Sequence, residues 1–225
     1  MSDNKEEQKQ TDKKIDREFI FQLVVVGVLV ILLLYNLPVN AGKGVTGNVV
    51  KGIGTVSALD ILPSGTPEVY GSELGVSFDD VSASNPGLAD ATMEKLTEYE
   101  DMQLTPEQMS RYVKISSSIA CEYCCGAKTL VFSNGERACG CAHSYAMRGL
   151  AKYLLTKHPD MSDEQILNEL GKWKVLFFPG VHEQKAQALK SQGVDYNNYI
   201  NLASNKYRGA EKGQTSGSGA MVGGC

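Results

Sequence analysis

Five of the six cysteines stand within 21 residues, as Cys121-Glu-Tyr-Cys124-Cys125-Gly126 and Cys139-Gly140-Cys141-Ala-His143. Sulfurs this close in the chain must bridge, share an ion or be held apart by the backbone, and each choice dictates the local fold. The segment KTLVFSNGERA separates the two groups and contains Asn134-Gly135, the favoured pair for a two-residue turn between strands. The expectation is a cysteine knuckle followed by a short β-hairpin that returns Cys139 and Cys141 beside Cys121 and Cys124. Four sulfurs then converge without long-range folding. A tetrahedral sulfur site suits zinc first, with copper(I) or an iron–sulfur centre as alternatives. Cys125 follows Cys124 directly and leaves the register of the first pair open, while His143 can replace one sulfur. The metal-ligating set read from the sequence is Cys121, Cys124, Cys125, Cys139, Cys141 and His143.

The same residues admit two other chemistries. Outside the cytoplasm cysteines usually become disulfides, and small domains use them as staples. Against staples stand the odd count of five, the strain of bridging adjacent Cys124 and Cys125, and the strain of a C-x-C ring. Cys225, the last residue, would make the set even. Redox-active thiols are the third possibility, which would make the chain a thiol–disulfide oxidoreductase. A haem-attachment C-x-x-C-H is absent, as are a P-loop, G-x-S-x-G and H-E-x-x-H. No catalytic residue or organic cofactor site is therefore assigned, and a binding protein is favoured over an enzyme.

A second constraint lies at the N-terminus. Residues 19–37 read FIFQLVVVGVLVILLLYNL, with Gln22 and Asn36 as the strongly polar side chains. As a helix this run spans about 28 Å, close to the hydrocarbon thickness of a bilayer. Lys5, Lys9, Lys13, Lys14 and Arg17 precede it, whereas Lys43 and Lys51 follow it. By the positive-inside rule the N-terminus is cytoplasmic, and the rest of the chain is extracytoplasmic, single-pass in the cell membrane. A cleaved signal peptide ending at Val39-Asn40-Ala41 is the rival; its apolar core is longer than such peptides use. The formal charge of −4, with Lys and Arg scattered, supplies no basic face, so nucleic acid is set aside as a partner.

Composition divides the chain into a polar tail (1–18), the transmembrane helix (19–37), a Gly/Val-rich spacer (38–67), a cysteine-rich helical domain (68–208) and a Gly/Ser-rich tail (209–225). Met93 and Leu96 fall at helical spacing. Thr105-Pro106-Glu107-Gln108 forms a capping box with a first-turn proline, which predicts a helix over 106–119 leading directly to Cys121. Met147, Leu150, Ala151, Leu154 and Leu155 make one apolar stripe on a helix ending near Lys157. Ser162 to Gln165 form another capping box, opening a helix that buries Ile166, Leu167 and Leu170. Trp173 and the run 175–179 close the core, and a last helix covers 182–192, before Gly193. His158-Pro159-Asp160 matches the tripeptide of chaperone J-domains but reads as a helix stop. Glu122 and Glu136 flank the cysteines, and Tyr123 is expected to pack over them. The fold class is thus mainly α: a transmembrane helix and a small helical domain carrying a cysteine knuckle and short β-hairpin.

C-x2-C, then 14 residues, then C-x-C at a helix start loosely resembles treble-clef zinc fingers, although their second pair is C-x2-C. ACEYCCGAKTL, ACGCAHSYAMRGLAKYLL and SDEQILNELGKWKVLFFP resemble a group of uncharacterised membrane-anchored prokaryotic proteins over residues 115–179, a group with no assigned reaction. Proline-CYCGC lipoproteins of the cell envelope share the crowded cysteines, but that proline and the lipidation cysteine are missing here. The thiol-reducing subunit of cytochrome c maturation is similar in its tethered C-x2-C and in the phrase at 162–170. That resemblance implies Cys121 and Cys124 as a redox pair, and it has no counterpart of Cys139 and Cys141.

Overall fold

Local sequence signals set most helix boundaries. Thr105 accepts the Gln108 N–H at 3.3 Å while the Gln108 side chain accepts the Thr105 N–H at 2.9 Å. Ser162 and Gln165 reciprocate in the same way, at 3.2 and 2.8 Å. Each box satisfies two backbone donors that a helix start leaves orphaned. At the other kind of boundary, Phe178 precedes Pro179 and adopts φ −134° and ψ 58°, which stops one helix and lets the proline open the next.

The computed structural model describes residues 20, 22–28, 54–212 and 221–223. The chain forms two units, Met1–Val50 and Lys51–Cys225. In the first, residues 20 and 22–28 are helical and exposed. No helix among the described residues is long and apolar enough to cross a membrane. This corrects the expected transmembrane helix over 19–37: of that run the described residues are 20 and 22–28, and they form no helix long and apolar enough to span a bilayer. Residues 21 and 29–37 lie outside the described residues, as do residues 1–19 and 38–53.

The second unit is helical. In chain order it contains α1 (Gly71–Leu74), α2 (Pro86–Thr97), α3 (Pro106–Ser117), α4 (Glu122–Cys125), α5 (Ala142–Lys157), α6 (Asp163–Phe177), α7 (Pro179–Ser191) and α8 (Tyr199–Ala203). Single 3-10 turns at Ala58–Asp60, Phe78–Asp80 and Asn205–Tyr207 complete it. Helix α5 is the hub and packs against α2, α3 and α6. Its stripe of Met147, Leu150, Ala151, Leu154 and Leu155 is buried, together with Trp173 and Phe177 from α6. Gly149 lets α2 approach: an added Cβ would stand 2.0 Å from the Leu96 carbonyl oxygen. A smaller apolar cluster joins Val56 and Ile61 to Val175, Ala186, Leu189 and Leu202, so the chain is already packed ahead of Glu68. Helix α7 starts three residues before the expected 182, and α8 has no counterpart among the predicted elements.

The expected β-hairpin is absent among the described residues. Its turn exists, with Gly135 at φ +85° and its N–H bonded to the Phe132 carbonyl, but it closes on a single bridge, Val131 with Arg137. The ladder cannot lengthen because neighbouring backbone groups are committed elsewhere. The Leu130 N–H donates to the Ser116 and Ile119 carbonyls, and the Cys139 carbonyl accepts from Arg148 at 2.8 Å.

Arg148 is wholly buried on α5. Its Nε donates to Glu100 Oε1 at 2.7 Å, its second branch reaches the Leu130 and Cys139 carbonyls, and its plane lies over the Tyr145 ring at 4.6 Å. Arg137 adds further hydrogen bonds to Glu100. Burial pushes the Glu100 carboxyl up, but the two guanidiniums outweigh it and hold the group below its ordinary range.

Gly149→Ala is expected to destabilise the domain by about 2–3 kcal/mol, read as a lowered urea midpoint, because backbone rather than a flexible side chain blocks the methyl. Arg148→Met removes one of the two guanidiniums on Glu100, leaves Arg137 as its partner, and is expected to cost about 3 kcal/mol at neutral pH. A depressed carboxylate stabilises above its unfolded pKa, about 4.3, and loses that contribution as pH falls through the folded value. The stability gap between wild type and Arg148→Met should therefore narrow below about pH 4, measured by urea unfolding across pH.

Candidate functional site

Helix α3 ends at Ser117, and the buried residues Ile119 and Ala120 carry the chain inward to Cys121. Cys121 caps α4, a single turn closed by Gly126 at φ +70°. One helical turn aligns residues four apart, so Cys125 rather than Cys124 returns over Cys121, with its sulfur 3.3 Å from the Cys121 carbonyl oxygen. The turn and bridge at 131–137 then bring Cys139 and Cys141 alongside, and Cys141 caps α5.

The resulting cluster is tight. Cys141 Sγ lies 3.3 Å from Cys121 Sγ and 3.5 Å from Cys139 Sγ. Cys125 and Cys139 form a disulfide, while Cys121 and Cys141 are buried thiols. Among the described residues, two groups hold ligand atoms within 4.8 Å of one another: Cys121, Cys141 and His143, and Cys125, Cys139 and Cys141. Cys141 belongs to both. Cys124 is disulfide-bonded as well, and Cys225 lies outside the described residues. Of the sequence-predicted ligands, Cys121, Cys125, Cys139, Cys141 and His143 meet in one place, and Cys124 stands outside both groups.

Cys121 and Cys141 share one hydrogen bond, and the surroundings decide which sulfur is the anion. Hydrogen bonding from Cys121, with His143 and Ser144 adding to it, outweighs burial and brings Cys141 down to about 3. Ser144 Oγ is 3.4 Å away in the first turn of α5, where the helix dipole also favours negative charge. The Cys141 sulfur and burial together push the Cys121 thiol well up. His143 is clamped between Phe177 and Phe178, at 4.8 and 4.9 Å between ring centroids. Its Nε2 is 2.8 Å from the Val222 carbonyl oxygen, which can only accept, so Nε2 carries a proton there.

A buried cationic group backs the sulfurs. Lys174 Nζ donates to Glu122 Oε1 at 3.0 Å and to the Ala203 carbonyl at 2.8 Å, and its charge lowers Cys121 against the larger upward effects. Arg208 pairs with the same carboxylate and ties down the Ala127 and Lys128 carbonyls. Burial depresses Lys185 to about 8 and drives His182 well below its ordinary value. Tyr123, expected over the cysteines, meets Phe178 and His182 edge-on at 5.4 and 5.5 Å.

Lys174, Ser144 and Arg148 are the site residues that sequence reasoning passed over. Lys174 carries a signal in hindsight, since it interrupts the apolar run from Trp173 to Phe178 and so must be buried with a partner. Ser144 stands three residues after Cys141, the spacing that lets a helix's first turn reach its capping residue. No protein-family model, curated protein or solved structure matches the chain.

Proposed function

We propose that this is a metal-binding protein whose reduced form holds one transition-metal ion through Cys121, Cys125, Cys139 and Cys141. His143 is the alternative fourth ligand. The observation that carries this reading is the sharing of Cys141 between two ligand groups packed within 4.8 Å. Zinc with sulfur at about 2.3 Å in a tetrahedron needs sulfurs about 3.8 Å apart, and contacts of 3.3 and 3.5 Å lie a small relaxation from that. Zinc suits the sulfur-rich set best, and the role is metal storage, delivery or a structural site in the cell envelope. Lys174, Lys185 and Arg208 offset the charge that several thiolates bring, which supports binding of a divalent ion at so sulfur-rich a site. The disulfide-bonded Cys124, Cys125 and Cys139 support a place outside the cytoplasm, because cytoplasmic reductants keep ordinary thiols reduced.

Protein reduced and loaded anaerobically with zinc is expected to hold one ion per chain by elemental analysis, with the count lost in Cys141→Ser and kept in Cys124→Ser. At free zinc a thousandfold above Kd the ion adds about 4 kcal/mol of stability, so a chelator should lower the melting temperature visibly. Reduced protein with its thiols intact that takes up no stoichiometric zinc, copper(I) or iron would end this reading.

A further inference from the structure

Thiol–disulfide exchange requires a thiol within reach of a disulfide sulfur. Here the Cys125–Cys139 disulfide has the Cys141 sulfur 3.5 Å from its buried end, and Cys141 has the Cys121 sulfur 3.3 Å beyond. The other end, Cys125, is exposed, whereas Cys121, Cys139 and Cys141 are buried. The four sulfurs therefore form a chain of contacts from solvent to interior, with one disulfide and two thiols distributed along it. We propose that the cluster performs thiol–disulfide exchange with an external thiol that enters at Cys125, using Cys139, Cys141 and Cys121 as an internal relay. This rests on the same sulfurs as the metal reading and does not require a metal.

Each step is a displacement at sulfur. The Cys141 thiolate attacks Cys139 Sγ. A Cys139–Cys141 bond forms, the Cys125–Cys139 bond breaks, and its electron pair leaves on Cys125, which takes a proton from solvent. Cys121, losing its proton, then attacks Cys141 and displaces Cys139 as the thiolate. One disulfide and two reduced sulfurs are present before and after, so the rearrangement needs no oxidant or reductant. It stores the disulfide in the interior as Cys121–Cys141, and its reversal returns the disulfide to the surface. There an external thiolate attacks exposed Cys125, forming a mixed disulfide and releasing the Cys139 thiolate. A second external thiol resolves the mixed disulfide, so two thiols become one disulfide while the protein gains two electrons and two protons. The substrate class is a thiol on a peptide or on a small molecule.

Several features fit exchange better than a static bridge. The sulfurs that must move stand on short, separately anchored pieces: Cys121 and Cys125 on the single turn α4, Cys139 and Cys141 on either side of Gly140. The surrounding scaffold is held independently. Arg148 grips the Cys139 carbonyl, and the Arg208 and Lys174 contacts to Glu122 hold α4. Sulfurs can therefore change partners without unfolding the loop that carries them. The two ligand groups also describe the two ends of the relay, since each holds Cys141 with a different set of neighbours.

The experiment uses the full chain, freed of metal and equilibrated in glutathione redox buffers, then acid-quenched, alkylated and mapped by mass spectrometry. Wild type is expected to show both the Cys125–Cys139 and the Cys121–Cys141 disulfides, in amounts within about a factor of ten of each other. Among these four cysteines, Cys141→Ser should show Cys125–Cys139 alone, and Cys121→Ser should stop at Cys139–Cys141, so either variant serves if the other fails to fold. In Cys139→Ser glutathione should remain trapped on Cys125. Wild type with Cys125–Cys139 as its sole cluster disulfide at every redox poise, and Cys121 and Cys141 always alkylated, overturns the proposal. Protein that binds zinc when reduced but shows no second isomer overturns exchange alone. Both isomers in a protein that takes up no ion when reduced overturns the metal reading alone.

Discussion

The buried Arg148–Glu100 pair is the interaction on which the geometry of the cysteine site depends. Arg148 comes from the middle of α5, and Glu100 lies just beyond α2, so the pair locks the most extensive helix contact among the described residues. The same guanidinium binds the Leu130 and Cys139 carbonyls and thereby fixes the loop that delivers the second cysteine pair. A buried ion pair adds little net stability over an apolar pair of the same shape, but removing one member is costly. Its contribution here is placement. Cys139 is held where Cys141, two residues on, can cap α5 within reach of Cys121.

A second buried pair does the corresponding work for the first cysteines. Lys174 and Arg208 hold Glu122 on α4, so the residue after Cys121 is anchored from α6 and from the segment following α8. Lys174 is wholly buried, so its charge acts on Cys121 with little screening. Lys174 thus brings positive charge to Cys121, while Arg148 holds the backbone of Cys139. Metal binding and thiol exchange both need thiolates, and such an environment favours them.

The departure from the expected hairpin has a consequence for the sulfurs. A full hairpin would have placed the two cysteine pairs at equivalent ends of a ladder. The single bridge instead leaves the flanks to be captured by Ser116 of α3, by Ile119 just beyond it, and by Arg148. The helical turn α4 then selects Cys125 over Cys124, because a turn aligns the first and fifth residues rather than the first and fourth at this capping geometry. One turn of helix brings Cys125 over the Cys121 carbonyl.

By itself the sequence determined the helices that carry local signals. The boxes at Thr105 and Ser162, the stripe from Met147 to Leu155 and the stop at His158 all depend on residues within one or two turns, and each lies where it was read. It also determined that the cysteines on either side of Asn134-Gly135 would meet, since the turn between them is local. Tertiary structure decided the rest. Where Lys174 and Arg148 lie depends on contacts between residues dozens of positions apart. A lysine or arginine in a helix reads as a solvated side chain until its partner is known. Burial of such a charge is stable only with that partner in place, and the partner is supplied by the packing of other helices.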